Sequence, residues 1–358
     1  MDKLKIIIFL LGMLQVTNCQ DMKKSETPLP SYSVEISHPW NNYLITPVED
    51  KILTLEGTPA HLPYGSSSGT WGNSGKGFTE QHGTPIGADI VYYSNYEDVF
   101  YHLKAEFPKD KMKDLVQRVY ANDESKSSDE SLKEFINRKD EPDYNEKYNK
   151  FGVSYNKFSN LVFGFAPKGM VVVWLRYGYT QIELGEFKAE VVKDDKKYAD
   201  QLFSKISQTR AEIKHNMFIA NASPLEWDKY RTRYKWVPGF QLENKDFKLF
   251  NVLTEYYNGE KEVMLRPWIE NPAMKERALP KEIAFFWGNG KDETFEGRAF
   301  FNWVETDDQF ENAGENFKLE FRIAPDNNSF QVLLMGSPIK IDSTRVYKSN
   351  QSFKKSNK

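Results

Sequence analysis

The residues that could most readily do chemistry lie in a glycine-rich stretch at positions 65–77. Its first five residues, Gly65 to Gly69, match G-x-S-x-G, the turn that presents a serine nucleophile in α/β-hydrolases. That turn requires a buried strand before the serine and a helix after it. Here Pro63 precedes the stretch and more glycines follow, so the sequence favours a flexible loop.

The second half of the stretch, residues 72–77, contains part of a phosphate-binding pattern. A P-loop would have glycine at position 70, where this chain has threonine. It would also have Ser or Thr, as a magnesium ligand, where this chain has Gly77. The sequence therefore argues against nucleotide binding.

Trp71 is the residue of this stretch with the clearest potential to bind a partner. Its glycine and serine neighbours cannot bury an indole ring, so the ring either packs against another part of the fold or offers a face to a ligand. Aromatic faces suit sugar rings and the centres of protein interfaces, although packing is the more common role of a tryptophan. Both interpretations stay open, and the candidate binding loop consists of Trp71, Gly72 and Lys76.

Histidines and carboxylates form no metal or catalytic pattern in the sequence. The five histidines are far apart, without H-E-x-x-H, and no segment has the spacing of a calcium loop. The acidic pairs at 194–195 and 307–308 could serve a glycosidase only if the fold placed carboxylates on both sides of a sugar. We predict no metal and no cofactor, name no catalytic residue, and leave open whether the chain is an enzyme.

The first twenty residues are typical of an exported lipoprotein. Lys3 and Lys5 precede an apolar run at 6–16, which is the layout of an export signal and is shorter than the roughly 20 residues of a permanent span. Cys19, the only cysteine, ends the sequence Val-Thr-Asn-Cys, which resembles a lipobox. We predict cleavage before Cys19 and acylation of that residue, palmitate included, as a membrane lipid anchor. The alternative is an ordinary signal peptide with an incidental cysteine.

Composition and charge limit the partners and the location that can be expected for the folded part. The net charge is −3 and the pI is near 6.1, so no basic field is present to attract nucleic acid. Aromatic residues make up 15% of the chain and can supply a packed core. The residues after Cys19 lack a strongly acidic run, which favours anchoring in the outer membrane with the protein facing the periplasm.

Helical signals occur in four places. A capping box at Ser127 and Glu130, before Leu132, Phe135 and Ile136, predicts a short surface helix. The stripe from Met112 to Tyr120 predicts a helix over 109–121, and a second stripe predicts helical structure over 196–218. Ser223 and Pro224 are typical of the start of another helix. We expect the last two to form a helical joint at the middle of the chain.

The two halves of the chain repeat the same order of β features. Each has a β-rich run, an Ala-Pro corner and a strand-Gly-strand hairpin, which indicates a diverged tandem duplication; coincidental β patterning is the alternative. The matching features are 89–93 with 282–286, Ala166-Pro167 with Ala324-Pro325, 171–175 with 330–334, and Gly178 with Gly336.

These patterns predict an α+β fold that is mostly β, with two tandem related, sandwich-like β-sheet lobes joined by a central helical segment. Residues 326–329 are expected to form the turn of the second hairpin. The predicted divisions are a signal peptide at 1–18, a tether at 19–31, a first lobe with inserted helices at 32–195, a helical joint at 196–233, a second lobe at 234–348 and a polar tail at 349–358.

Several motifs resemble those of domain-of-unknown-function family 2931, whose members are Gram-negative, often lipidated proteins. The motifs are the Cys19 signal, Trp71-Gly72, the stretch 85–108, the segment 166–174 and the segment 227–231. The resemblance covers nearly the whole mature chain. It implies an envelope lipoprotein without an established activity, and an immunity role against a secreted antibacterial effector is one hypothesis that it raises.

Two classes of function therefore stay open. The first is a non-enzymatic binding protein of the cell envelope whose partner is a toxin or another envelope protein. The second is a glycan-binding lipoprotein, or a weakly marked glycan hydrolase, which predicts a cleft with aromatic platforms and, for hydrolysis, two facing carboxylates.

Overall fold

Strands dominate the fold, and the predicted α+β, mostly β class is confirmed. The computed structural model describes residues 29–64, 69–74, 77–122, 132–138, 155–244, 246–290 and 293–350. The helices in those ranges are α1 Lys109–Leu115, α2 Lys196–Phe203, α3 Arg210–Met217, α4 Leu225–Lys229 and α5 Trp303–Ala313. None of them is long and apolar enough to cross a membrane.

The strands fall into two groups on either side of helices α2, α3 and α4. The first group is β1 Ser31–Ser37, β2 Ile45–Thr54, β3 Gly69–Thr70, β4 Asn73–Ser74, β5 Gly77–His82, β6 Pro85–Ser94, β7 Val99–Glu106, β8 Arg118–Ala121, β9 Phe135–Asn137, β10 Tyr155–Lys157, β11 Asn160–Ala166, β12 Met170–Tyr177, β13 Thr180–Lys188 and β14 Glu190–Val191. The second is β15 Arg233–Gln241, β16 Lys248–Tyr256, β17 Lys261–Leu265, β18 Lys275–Ala278, β19 Pro280–Gly288, β20 Thr294–Phe300, β21 Phe317–Ile323, β22 Phe330–Leu334, β23 Ser337–Pro338 and β24 Ser343–Ser349.

The first group forms a β-sandwich. One layer has the strand order β5-β1-β11-β12-β13 and the other has the order β14-β7-β6-β2. The apolar run at 171–175 of β12 is explained by burial of both faces of the strand. Val171 and Val173 face the core between the layers, whereas Val172 and Trp174 pack on the outer side of the sheet. The predicted buried strand at 171–175 is therefore present and covered on both faces.

The second group repeats this architecture, with β17 as an additional strand. Its layers have the orders β18-β15-β21-β22-β23 and β17-β16-β19-β20-β24. In both groups the first strand pairs parallel with the strand that ends at the Ala-Pro corner, β1 with β11 and β15 with β21. A helix precedes that strand in both groups, α1 in the first and α5 in the second. A tandem duplication accounts for this repetition, because strand order and pairing direction recur together.

The two lobes share one ten-stranded sheet, which the sequence did not predict. Its order is β24-β20-β19-β16-β17-β13-β12-β11-β1-β5. The lobes meet where β13 pairs antiparallel with β17, through Gln181 and Lys261. The sheet therefore contains one layer of each sandwich, and the lobes are related head to tail.

Several predicted elements differ from the structure. The short helix expected after Ser127 was wrong in its described part, because Phe135–Asn137 form strand β9. The helix expected over 109–121 ends at Leu115, and β8 follows because it pairs with β9 and β10, which come from later in the chain. The helical segment expected over 196–218 is split into α2 and α3. The expected tether and tail each lose residues to strands, since β1 begins at Ser31 and β24 ends at Ser349.

Candidate interaction site at the joint between the lobes

Trp71 lies at the joint between the lobes, between β3 and β4. Its ring is half-buried and stands edge-on to Trp174, with 5.0 Å between centroids. Trp227 of α4 lies on another side, with centroids 6.4 Å apart. The indole N–H of Trp71 is buried and has no hydrogen-bond partner in the part of the chain that the structure describes.

Gly72 is held by hydrogen bonds to side chains of three strands, β1, β12 and β13. Its N–H donates to the hydroxyl of Ser37 at 2.8 Å, and its carbonyl accepts from Arg176 Nη2 at 2.9 Å and from Gln181 Nε2 at 2.8 Å. Its φ of 78° lies in the left-handed region that favours glycine. A Cβ at this position would lie 2.7 Å from the Cα and carbonyl oxygen of Gly259, in the turn between β16 and β17. Glycine is therefore required for the two lobes to touch here.

A buried polar network supports the loop from below. Arg176 forms a bidentate pair with Glu35, at 2.9 and 3.0 Å, and Asn160 donates to the same carboxylate at 2.7 Å. Gln181 donates to the carbonyl of Gly259 as well as to that of Gly72, so one amide connects the lobes. Such a network fixes the loop because each buried polar group would be costly to leave unpaired.

Aromatic rings continue from Trp71 into the second lobe. Tyr43 packs edge-on against Trp227, with centroids 5.3 Å apart. Tyr230 contacts Tyr257 at 5.0 Å and Trp303 of α5 at 5.7 Å. We call this set the aromatic joint, and its members are Tyr43, Trp71, Trp174, Trp227, Tyr230, Tyr257 and Trp303.

Ion pairs border the aromatic joint. Arg231 lies 2.9 Å from Glu183 and also pairs with Glu186, while Arg233 lies 2.9 Å from Glu260. Burial lowers the pKa of Arg231, but the adjacent Glu183 carboxylate outweighs burial and raises it overall. The guanidinium thus stays charged and links the start of the second lobe to β13.

Three large apolar side chains are exposed on the segments that hold rings of the aromatic joint. Trp40 is 51% exposed, Leu225 is 63% exposed and Val304 is 60% exposed. Each lies within three residues of a ring of the joint, namely Tyr43, Trp227 and Trp303. We call these three residues the apolar rim. An apolar group beside a fixed aromatic cluster is the type of surface that protein interfaces use at their centres.

Comparison with known proteins identifies the family of this chain. A family model described as a protein of unknown function (DUF2931) matches residues 17–224. The chain belongs to this family. No curated protein and no solved structure matches it.

The DUF2931 match ends just before α4, so it includes Cys19, the first lobe and helices α2 and α3. We expected the resemblance to cover nearly the whole mature chain, and this was wrong: the second lobe lies outside the match. The second lobe nevertheless repeats the strand pairing of the matched lobe. The second lobe thus resembles the first in strand pairing although the family model does not match its sequence.

The structure describes only part of the predicted binding loop. Trp71 and Gly72 lie together at the joint, whereas Lys76 and the lipidation candidate Cys19 are outside the described residues. The binding role of the loop stays a prediction. Nothing in the sequence pointed to the apolar rim, because single exposed apolar residues have no pattern. The turn that meets Gly72 was also missed, although the dipeptide Asn258-Gly259 is a signal that could have located it.

One carboxylate of each acidic pair singled out in the sequence has a side-chain partner in the structure. Asp195 accepts from Arg210 at 2.8 Å, and Asp307 accepts from the hydroxyl of Tyr234 at 2.7 Å. Within the described ranges, no group of three or more histidine or acidic side chains could hold a metal ion. Among the described residues, the joint between the lobes is therefore the better candidate for a functional site than the acidic pairs.

Proposed function

We propose that this protein is an envelope lipoprotein that binds another protein, and that the apolar rim is the contact surface. The observation that carries the proposal is the exposure of Trp40, Leu225 and Val304 on the segments whose neighbouring residues Tyr43, Trp227 and Trp303 pack into the aromatic joint. Exposed apolar groups on a preorganised base cost little entropy to bury on binding. An immunity role, in which the partner is a secreted antibacterial toxin, is the specific form of this proposal.

The proposed location follows from Cys19. The family match begins at residue 17 and so includes this cysteine. Acylation of Cys19 would place the folded lobes beside the outer membrane, facing the periplasm, where a toxin that enters that compartment would meet them. Intact-mass measurement of the membrane fraction tests this: loss of residues 1–18 and gain of acyl chains is the expected result, and Cys19→Ser should abolish both the added mass and membrane association.

The binding proposal is tested with the full chain as bait in an envelope extract, followed by purification of the captured protein and titration of the two components. Replacement of Trp40, Leu225 and Val304 together by serine should weaken binding at least 10-fold. Matched controls are Val191→Ser and Met335→Ser, since these side chains are 57% and 70% exposed but lie outside the joint. Equal affinity of the rim variant and the controls would remove the rim from the proposal.

A glycan is the competing ligand, because the ring of Trp40 could also stack on a sugar. A glycan array probed with the wild-type chain and with Trp40→Ser separates the two cases. Retention that depends on Trp40, without any stoichiometric protein partner, would contradict protein binding and support carbohydrate recognition.

A further inference from the structure

A second feature with the character of a binding site lies in the second lobe. A cavity of about 570 Å³ opens beside β15, which is within the usual range of ligand-binding clefts. Its lining includes the β15 residues Val237 to Phe240, the apolar side chains of Leu249 and Ile269, and Asn271 and Pro272. We call this cavity the edge groove.

The internal repeat explains why the edge groove is there. Matching the two Ala-Pro corners aligns Ile36 with Phe240, because Ile36 pairs with Phe163 of β11 and Phe240 pairs with Phe321 of β21. By the same alignment, Pro238 and Gly239 are the counterparts of Val34 and Glu35.

In the first lobe a strand occupies the position that corresponds to the groove. There β5 runs antiparallel to β1, and it pairs Val34 with Phe78 and Glu35 with Gly77. In the second lobe, β18 pairs with β15 only as far as Trp236 and Lys275. Within the described residues, the β15 edge beyond Trp236 therefore has no strand on that side.

The charge of the groove indicates what could fill it. Three cationic side chains line it, those of Lys248, Arg266 and Lys318, against one carboxylate, that of Glu270. Lys318 lies across Gly239, since a Cβ built on the glycine would meet Lys318 Cε at 1.7 Å. The glycine thus makes room for a cation at the β15 edge, where the first lobe has Glu35.

We propose that the edge groove binds a short, extended, acidic peptide segment of a partner protein, added antiparallel to β15 in the place that β5 takes in the first lobe. Main-chain hydrogen bonds to β15 hold the segment, the apolar side chains of the groove accept one of its side chains, and an acidic group of the segment meets Lys318. Pro238 offers only a carbonyl, which limits the added ladder to a few residues. This inference rests on the proposed binding function but names a different surface from the apolar rim.

The natural template supplies the probe. A labelled, end-capped peptide with the sequence of residues 77–82, carrying Glu in place of Thr79 and Gln81, is titrated against the full chain by fluorescence anisotropy. The same peptide N-methylated at alternate residues retains the charge but cannot form the ladder, so its affinity should be at least 10-fold weaker. Amides of residues 237–241 should gain protection from hydrogen exchange when the unmethylated peptide binds.

Two variants test the charge. Lys318→Gln and Lys318→Glu should weaken the peptide affinity progressively, by about 10-fold for the charge reversal. Lys281→Glu is the matched control. Lys281 is exposed and lies at the far end of β19, about 24 Å from Gly288, the residue that pairs with Lys248 of the groove. This replacement should leave the affinity unchanged. The control also shows whether any charge reversal on this lobe disturbs folding.

The inference is overturned if the N-methylated peptide binds as tightly as its parent, if Lys281→Glu weakens binding as much as Lys318→Glu, or if the acidic peptide does not bind. Its failure is distinguishable from failure of the proposed function. A purified partner that still depends on the apolar rim, when the peptide does not bind, leaves the function standing and removes only the groove. Dependence of that partner on both Lys318 and the rim supports both.

Discussion

At the scale of single residues, the second lobe contains a buried ion cluster whose charges depend on each other. Glu262 accepts from Arg277 at 2.8 and 3.1 Å and lies 2.8 Å from Lys275. Burial alone would raise the pKa of Glu262, but Lys275 and Arg277 outweigh it and lower that pKa from 4.5 to about 2. Arg277 is itself almost fully buried, so it has no access to water as an alternative partner.

Glu262 should therefore make the free energy of unfolding depend on pH. Its folded-state pKa is depressed, so its contribution is complete above about pH 5 and is lost as the pH falls from 4.5 towards 2. Glu262→Gln should lower the unfolding free energy at pH 7 by about 3 kcal/mol, and the difference from wild type should shrink at pH 2–3. Urea unfolding across this range measures it, with Glu255→Gln as the control, because that glutamate is half exposed in its pair with Lys261. A pH-independent gap would show that geometry, not ionisation, causes the loss.

Replacement of Gly72 tests whether the close contact between the lobes adds to the cost of backbone strain. Gly72→Ala adds a Cβ at a positive φ and also places it 2.7 Å from Gly259, so we expect a loss of unfolding free energy of at least about 2 kcal/mol. Gly57 has nearly the same φ, 74°, but nothing within 4 Å of an added Cβ. Gly57→Ala should cost only the strain, about 1 kcal/mol. Thermal or urea unfolding compares the two, and equal costs would mean that the contact between the lobes is easily relaxed.

At the scale of elements, helix α3 depends on its first turn. Thr209 accepts from the N–H of Glu212 at 3.3 Å, and Glu212 accepts from the N–H of Thr209 at 2.8 Å, which is a capping box. Ile213 anchors the helix on the first lobe. Thr209→Ala should lower the unfolding free energy by about 1 kcal/mol and speed hydrogen exchange of the α3 amides, whereas Thr209→Ser should retain both. Exchange that is faster throughout the lobe, not only in α3, would contradict a local cap.

Local patterns in the sequence predicted those elements whose stability is decided locally. The apolar run at 171–175 predicted β12, and the Asp-Asn-Asn-Ser turn at 326–329 is present with Asn327 at a φ of 58°. The stripe at 109–121 misled because Val119 and Tyr120 are buried as strand residues by β9 and β10, whose sequences lie further along the chain. The site was less predictable still: Trp71 and Gly72 stood out by type, but their partners Trp174, Trp227 and Gly259 are brought to them only by the fold.

At the scale of the whole molecule, the repeat allows the edge by which the first lobe joins the shared sheet to be compared with the corresponding edge of the second lobe. The β13 edge of the first lobe pairs with β17 of the second. The counterpart of β13 in the second lobe is β23, which is only two residues long and contains Pro338. A short edge that contains proline resists further strand addition. The β23 edge of the second lobe is therefore poorly suited to pair with a further strand, and the β15 edge within the edge groove is the one that we infer to accept a partner.

Gln181 should determine whether the lobes unfold together. Its side-chain amide joins Gly72 to Gly259 across the joint and also accepts from Arg176. Gln181→Ala therefore leaves the carbonyl of Gly259 without this donor and that of Gly72 with Arg176 alone, at a cost of about 2–3 kcal/mol. We expect one urea transition for the wild-type chain and separate transitions for Gln181→Ala, seen as non-coincident tryptophan fluorescence and far-ultraviolet circular dichroism. The control is Gln241→Ala, because that exposed amide bonds only to Glu320 within the second lobe. Coincident transitions in Gln181→Ala would assign the coupling to the ion pairs of Arg231 and Arg233 instead, and the double replacement of those arginines would then have to separate the lobes.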